Sequence, residues 1–284
     1  MNYRHAYHAG NFADVVKHAI LARMLVYLGQ KDAPFRVIDT HAGIGVYDLG
    51  SVEAGKTGEW HAGIGRLLDA RLEPKAAELL APYLETVAAC RALYDLPLGY
   101  PGSPEIARHL ARAQDRLIFI EKHPTDARRL RERMEHDRRA KVIELDGWTG
   151  LKAYVPPVER RGLVLIDPPF EEQGEFDRLA ALLSAAWKKW PSGVYAAWYP
   201  LKDKSQASAF RATLSRSEIR KVLCIELQVN DRDDSREFSG TGLAVVNPPW
   251  PLFEECQTML PALASILRQG NRAPYRCEWL TGET

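Results

Sequence analysis

The chain has 284 residues, enough for one large or two small domains, and at 46% hydrophobic residues it can bury a sizeable core. Its 38 basic and 37 acidic side chains leave a net charge of +1, so a partner as acidic as nucleic acid has to be met by a local basic patch. No apolar run approaches the ~20 residues of a membrane span, the polar, aromatic opening Met1–His8 excludes a secretory signal, and Cys90, Cys224, Cys256 and Cys277 form no C-x-x-C pair, which reads as reduced thiols of a cytoplasmic protein.

In chain order the pattern predicts a helix over 14–28, strands over 35–39 and 117–121, a helix over 126–137, strands over 142–145 and 163–167, a helix over 176–189, a strand over 194–199, a helix over 205–215, strands over 222–229 and 243–247 and a helix over 253–267. Strands alternating with helices predict an α/β fold with a mostly parallel sheet covered on both faces. The last two strands are joined by a polar loop too poor in apolar residues for a crossover helix, so they should form an antiparallel hairpin. Five parallel strands and a closing hairpin make the Rossmann-like, seven-stranded sheet of a class I S-adenosylmethionine-dependent methyltransferase, its last strand antiparallel. The interval from Asp39 to Glu121 is about four times the ~20 residues of a usual Rossmann-type unit. Residues 47–100 therefore read as a helical insertion, with 75–93 its clearest amphipathic segment, and 1–46 with 101–284 as the methyltransferase domain. Leaving from the lip of the pocket, the insertion either covers a substrate or decorates and stabilises the sheet.

The run Gly162–Ile166 ends in Asp167-Pro168-Pro169-Phe170. Two prolines continue neither a strand ladder nor a helix, so the chain must turn there with Asp167 extended, at the sheet edge where open α/β proteins hold ligands. The Asp167 carboxylate and the Pro168 carbonyl can accept both hydrogens of an exocyclic amine, and Phe170 can stack on the heterocycle that carries it. That combination suits methylation of a planar amine such as N6 of adenine. The alternative on these four residues alone is a strand-to-loop corner whose Asp caps the next turn.

Asp39-Thr-His-Ala-Gly43-Ile-Gly45 follows the first strand with the spacing D-x-x-x-G-x-G. Gly43 and Gly45 allow close backbone approach to a cofactor and Asp39 fixes the loop, while the missing third glycine argues against a dinucleotide. Glu121 can bind both hydroxyls of a ribose, and Asp146-Gly147 can receive the exocyclic amine of the cofactor's adenine. His-Ala-Gly-Ile-Gly recurs at 61–65 without a preceding strand and is treated as coincidence. Asn247-Pro-Pro-Trp250 fits the same tetrapeptide pattern, but an antiparallel final strand would carry it to the opposite edge as a structural corner.

Further blocks extend the match: Tyr3-Arg-His-Ala-Tyr-His-Ala-Gly-Asn11, Ala13-Asp-Val-Val-Lys17-His18 and Tyr100-Pro-Gly-Ser-Pro104. Together with Asp39–Gly43, Asp146-Gly147, Leu165–Phe170 and Asn247–Trp250 they resemble the bacterial 23S ribosomal RNA adenine-N6-methyltransferases of the large-subunit methyltransferase J family, nearly end to end. The resemblance implies methylation of one adenosine of 23S rRNA, with S-adenosylmethionine as cofactor and S-adenosylhomocysteine as product. It implies cofactor contacts from His18, His41, Ser103, Glu121, Asp146 and Gly147 beside Gly43, with Asp167 catalytic. Tyr3, His5 and Lys17 would lie on the target-base side with Pro168 and Phe170. The family's tetrapeptide usually ends in Tyr; Phe170 keeps the π-face and loses a hydroxyl.

Four histidines, His5, His8, His18 and His41, follow no metal-ligand pattern, and direct methyl transfer needs none. The run Arg128–Arg139 mixes signs at helical spacing and reads as a solvated helix face; Arg4, Lys17 and Arg23 are better placed to meet phosphates. A monomer is expected. Rival readings are an adenine-N6 methyltransferase of DNA, a glutamine-amide methyltransferase of a protein, a non-catalytic RNA-binding or assembly factor on this scaffold and, more distantly, an NAD-dependent oxidoreductase.

Overall fold

A computed structural model of the chain describes residues 5–230 and 238–282. After a 3₁₀ turn at His5–Tyr7 the elements run α1 (Phe12–Gly29), β1 (Arg36–Asp39), β2 (Val46–Asp48), α2 (Val52–Thr57), α3 (Ile64–Asp69), α4 (Pro74–Tyr94), β3 (Gly99–Pro101), α5 (Ser103–Leu110), β4 (Arg116–Glu121), α6 (Pro124–Met134), β5 (Ala140–Glu144), α7 (Gly147–Tyr154), β6 (Gly162–Ile166), α8 (Glu175–Lys189), β7 (Val194–Pro200), α9 (Lys204–Ser215), β8 (Val222–Gln228), β9 (Gly240–Val246), α10 (Leu252–Leu267) and β10 (Tyr275–Thr281).

The central sheet has the order β10-β8-β9-β7-β6-β1-β4-β5. Strands β5, β4, β1, β6 and β7 are parallel, and β9 runs antiparallel between β7 and β8. All seven expected strands are present. The count is eight because β10 adds an antiparallel edge beside β8, Cys277 opposite Ile225. With Tyr275, Arg276, Glu278 and Trp279 all exposed it carries no buried-strand signature, so its pairing comes from β8 and not from its own apolar content.

Period-2 alternation sends the strand residues into two cores. Val37, Leu117, Phe119, Leu163 and Leu165 face α1, α4, α5 and α10, whereas Ile38, Ile118, Ile120, Val164 and Ile166 face α7, α8 and α9. Helix α1 is apolar around nearly its whole circumference because it is sandwiched between the sheet and helices α4, α5 and α10; Asn11 caps it, its side chain accepting from the Ala13 and Asp14 amides. Between β1 and β4 the chain is helical, with a two-stranded ladder of β2 and β3 at its base. Leu80, Tyr83 and Val87 of α4 join the same apolar cluster as α1. Among the described residues no helix is long and apolar enough to cross a membrane.

Candidate active site

Four parallel strands end side by side, so Asp39, Glu121, Asp146 and Asp167 all arrive at one edge of the sheet. A cavity of about 990 Å³ opens there, walled by the N-terminal part of α1, the loops after β1, β4, β5 and β6, Trp198 of β7 and Phe238.

The acids divide the work of shaping it. Asp39 lies behind the wall, buried, its Oδ2 accepting from Ser103 Oγ at 2.6 Å and its Oδ1 from the His41 amide at 3.2 Å. Burial raises its pKa to about 7, against the opposing pull of those two hydrogen bonds. Glu121 faces the cavity and accepts from the Gly43 amide at 2.8 Å and the His123 amide at 2.7 Å, one bond to each oxygen. Burial raises its pKa, with both amides opposing. Asp146 caps α7 through the Thr149 amide at 3.0 Å. Burial would raise its pKa, but the bonds from Thr149 and the nearby Lys122 hold it below the usual range. Gly43 has φ +62°, and a Cβ there would stand 2.2 Å from the Tyr47 hydroxyl; at Gly147 one would stand 2.2 Å from the Thr40 carbonyl. Only glycine leaves both walls free of side chain. His41 is edge-on to Trp148 at 5.4 Å and shares a 2.8 Å hydrogen bond with Thr40 Oγ1; burial pushes its pKa down to about 4, so it is neutral near pH 7.

Asp167 meets Lys17, whose Nζ lies 2.5 Å from Asp167 Oδ2 and 2.9 Å from Asp14 Oδ1. Burial opposes the lysine charge, but the two carboxylates outweigh it and hold its pKa above the ordinary lysine range. Beyond Asp167, Phe170 takes a left-handed backbone, φ +50°, unusual for an aromatic residue and the kind of strain that collects at functional sites. Its ring packs on Phe176 at 4.7 Å and edge-on to Trp198 at 5.8 Å. Trp198 contacts Phe238 at 6.2 Å and Phe238 contacts Phe12 at 4.9 Å, which gives the cavity one aromatic wall.

A family model described as "Ribosomal RNA large subunit methyltransferase D, RlmJ" matches residues 32–281. The Ribosomal RNA large subunit methyltransferase J of Escherichia coli is 41% identical over 283 residues, covering 100% of both chains. That of Haemophilus influenzae is 39% identical over 283 residues with the same coverage. The chain belongs to the ribosomal RNA large subunit methyltransferase J family. A crystal structure of a protein from Legionella pneumophila, 33% identical, superposes with a TM-score of 0.86 over 96% of this chain and 98% of that one.

In this member of the methyltransferase J family the cavity wall gathers Asp167, His41, Gly43, Ser103, Glu121, Asp146, Gly147, His5, Lys17, Pro168 and Phe170. His18 is not brought to it. Its ring is buried behind the wall, Nδ1 2.8 Å from the Tyr100 hydroxyl, and burial lowers its pKa to about 3. Tyr3 and Arg4 lie outside the described residues. Lys17 and Arg23 are not poised for phosphates: Lys17 is buried between Asp14 and Asp167, and Arg23 is engaged by Glu255 of α10 at 2.5 and 3.0 Å. The four histidines make their hydrogen bonds to different side chains, Asp14, Glu59, Tyr100 and Thr40. Arg129 and Arg133 of the mixed-charge helix reach the cavity wall, which the solvated-face expectation had not placed there. The second His-Ala-Gly-Ile-Gly forms a 3₁₀ turn and the start of α3, the Ile64 amide donating to the Gly10 carbonyl at 2.8 Å. Asn247 sits at the opposite sheet edge, its side chain donating to the Pro191 and Gly193 carbonyls at 2.7 and 2.8 Å.

Asp14, Trp148, Trp198 and Phe238 also line the cavity and were not singled out by sequence. For Asp14 a signal existed, its three-residue spacing from Lys17 on one helix. Trp148 directly follows the predicted Asp146-Gly147 at the start of α7; for Trp198 and Phe238 there was no signal, because a strand and a loop distant in sequence supply them.

Proposed function

We propose that this chain transfers a methyl group from S-adenosylmethionine to N6 of an adenosine in 23S ribosomal RNA, leaving S-adenosylhomocysteine. One observation carries the reading: Asp167-Pro168-Pro169-Phe170 opens into the same cavity as Glu121 and Asp146, the ends of neighbouring parallel strands. Relatives named for methylation of large-subunit ribosomal RNA support that RNA as the acceptor.

The residues fit the cofactor. Glu121, fixed by two backbone amides, faces the cavity where a ribose would offer hydroxyls, and the bare walls at Gly43 and Gly147 suit a flat heterocycle and its sugar. At about 990 Å³ the cavity is at the upper end of the few-hundred to ~1,000 Å³ that ligand sites span, room for cofactor and an everted base together. When bound, S-adenosylmethionine supplies an electrophilic methyl group on a sulfonium.

The chain's own groups do the rest. The N6 lone pair is delocalised into the purine, so the amine is a weak nucleophile until its hydrogens are held. Asp167 and the Pro168 carbonyl accept them, which favours a pyramidal nitrogen and stabilises the positive charge that develops on it. Lys17 fixes the Asp167 carboxylate through Oδ2 and leaves Oδ1 for the amine. Phe170 stacks on the base and offsets ~1–3 kcal/mol of the cost of unstacking it. Methyl acceptance from labelled S-adenosylmethionine, compared among 23S rRNA, duplex DNA and a protein extract, tests the substrate class. Transfer to rRNA alone is expected; transfer to DNA or protein, or cofactor binding without transfer to any, overturns the proposal.

A further inference from the structure

Lys17 is paired with two carboxylates, and only one of them ends at the tetrapeptide. The other, Asp14, is on no strand end, yet it is the most heavily engaged group of the site: Oδ2 accepts from His5 Nε2 and from the Gly10 amide, both at 2.9 Å, and Oδ1 meets Lys17 Nζ at 2.9 Å. His18 Nε2 lies 3.9 Å from the same Oδ1. Asp14 is 1% exposed.

We propose that Asp14 is a positioning residue for methyl transfer: as second counter-ion of Lys17, it keeps the Asp167 carboxylate available to the substrate amine. The inference rests on the reading of Asp167 as the group that accepts the amine hydrogens. A buried ammonium facing a single carboxylate forms a closed pair, and that carboxylate's field is then largely cancelled where the amine must bind. With Asp14 sharing the ammonium, two carboxylates face one lysine, and Asp167 keeps negative potential toward the cavity, where a sulfonium and a developing ammonium must be stabilised. Asp14 is built to stay ionised. It occupies the first turn of α1, where the helix dipole favours an anion. Burial opposes its charge, but His5, Lys17 and His18 outweigh burial and hold its pKa well below the usual range.

The test is a double-mutant cycle on single-turnover methylation, using Asp14→Asn, Lys17→Met and the double variant of the full chain. Asp14→Asn keeps one acceptor oxygen for the Gly10 amide and His5, and replaces the charged oxygen that meets Lys17 Nζ with an amide NH₂. Its methyl-transfer rate at saturating S-adenosylmethionine and RNA should fall by about 10- to 100-fold, the size expected of a lost electrostatic contribution at a reacting centre, while cofactor affinity holds. Asp14→Glu should recover part of that rate. The double variant should be no slower than Lys17→Met alone, because Asp14 acts through Lys17. Losses that multiply in the cycle, or an Asp14→Asn rate within about twofold of wild type, overturn the inference. If Asp14→Asn does not fold, the cycle is run with Asp14→Ser, which also removes the charge and keeps a hydroxyl acceptor. The cycle is read on whichever acceptor the wild type methylates, so a wrong acceptor would defeat the substrate assignment and leave the inference about Asp14 to its own result.

Discussion

The Ser103 hydroxyl donates to the Asp39 carboxylate at 2.6 Å, joining the end of the first sheet strand to the first turn of α5 across 64 residues of sequence. The bond closes the loop that carries His41, Ala42 and Gly43 along the cavity, and it does so with a carboxyl group that burial has driven up to about 7.

That raised pKa makes stability depend on pH in a definite direction. The folded state binds the Asp39 proton more tightly than the unfolded chain, so its contribution is complete below the ordinary value of 3.8 and is lost as pH rises through about 7. The difference amounts to as much as about 4 kcal/mol. Asp39→Asn, which cannot ionise, should therefore gain on the wild type in thermal stability between about pH 4 and pH 7. Parallel melting curves for the two proteins across that range would contradict it.

Glu121 accepts one backbone amide on each oxygen. A glutamine offers a single acceptor oxygen, and its NH₂ must face either the Gly43 or the His123 amide, donor against donor. Glu121→Gln should accordingly weaken S-adenosylmethionine binding about as much as Glu121→Ala, by ten- to a hundredfold, or about 1.4–2.8 kcal/mol. Calorimetric titration with the cofactor measures this directly. A Gln variant that binds like wild type would show that the carboxylate does not organise the cofactor loop.

Phe170 presents a ring without a hydroxyl at the end of the tetrapeptide. If the ring stacks on the target base, Phe170→Tyr should retain most activity and Phe170→Ala should raise the KM for RNA, with a loss of ~1–3 kcal/mol in kcat/KM. Equal losses from both substitutions would mean that the base does not rest there.

The seven strands predicted from apolar runs are all in the sheet; most of them are buried on both faces and so read as nearly continuous apolar runs. What escaped reading depends on partners. Strand β10 is an exposed edge defined by β8, and the ladder of β2 with β3 joins two three-residue strands about 50 residues apart in sequence. Helix α5 begins at Ser103-Pro104, where proline in the first turn starts a helix but resembles a loop in sequence. In the site, Asp167, Glu121, Asp146 and Gly43 were legible because each follows a strand. Asp14 and Trp198 acquire meaning only once α1 and β7 are packed against the tetrapeptide. The chemistry of the pocket edge could be read from one sequence; the charge network beneath it needed three dimensions.

The central claim is that Asp167 directs a methyl group to an adenine amine, and nucleoside mass spectrometry tests it most directly. Unmodified 23S rRNA is incubated with S-adenosylmethionine and either the wild-type protein or Asp167→Ala, after cofactor binding has been verified for both. N6-methyladenosine is expected with the wild type alone. No methylated nucleoside, a different one, or equal yields of N6-methyladenosine from both proteins would contradict it.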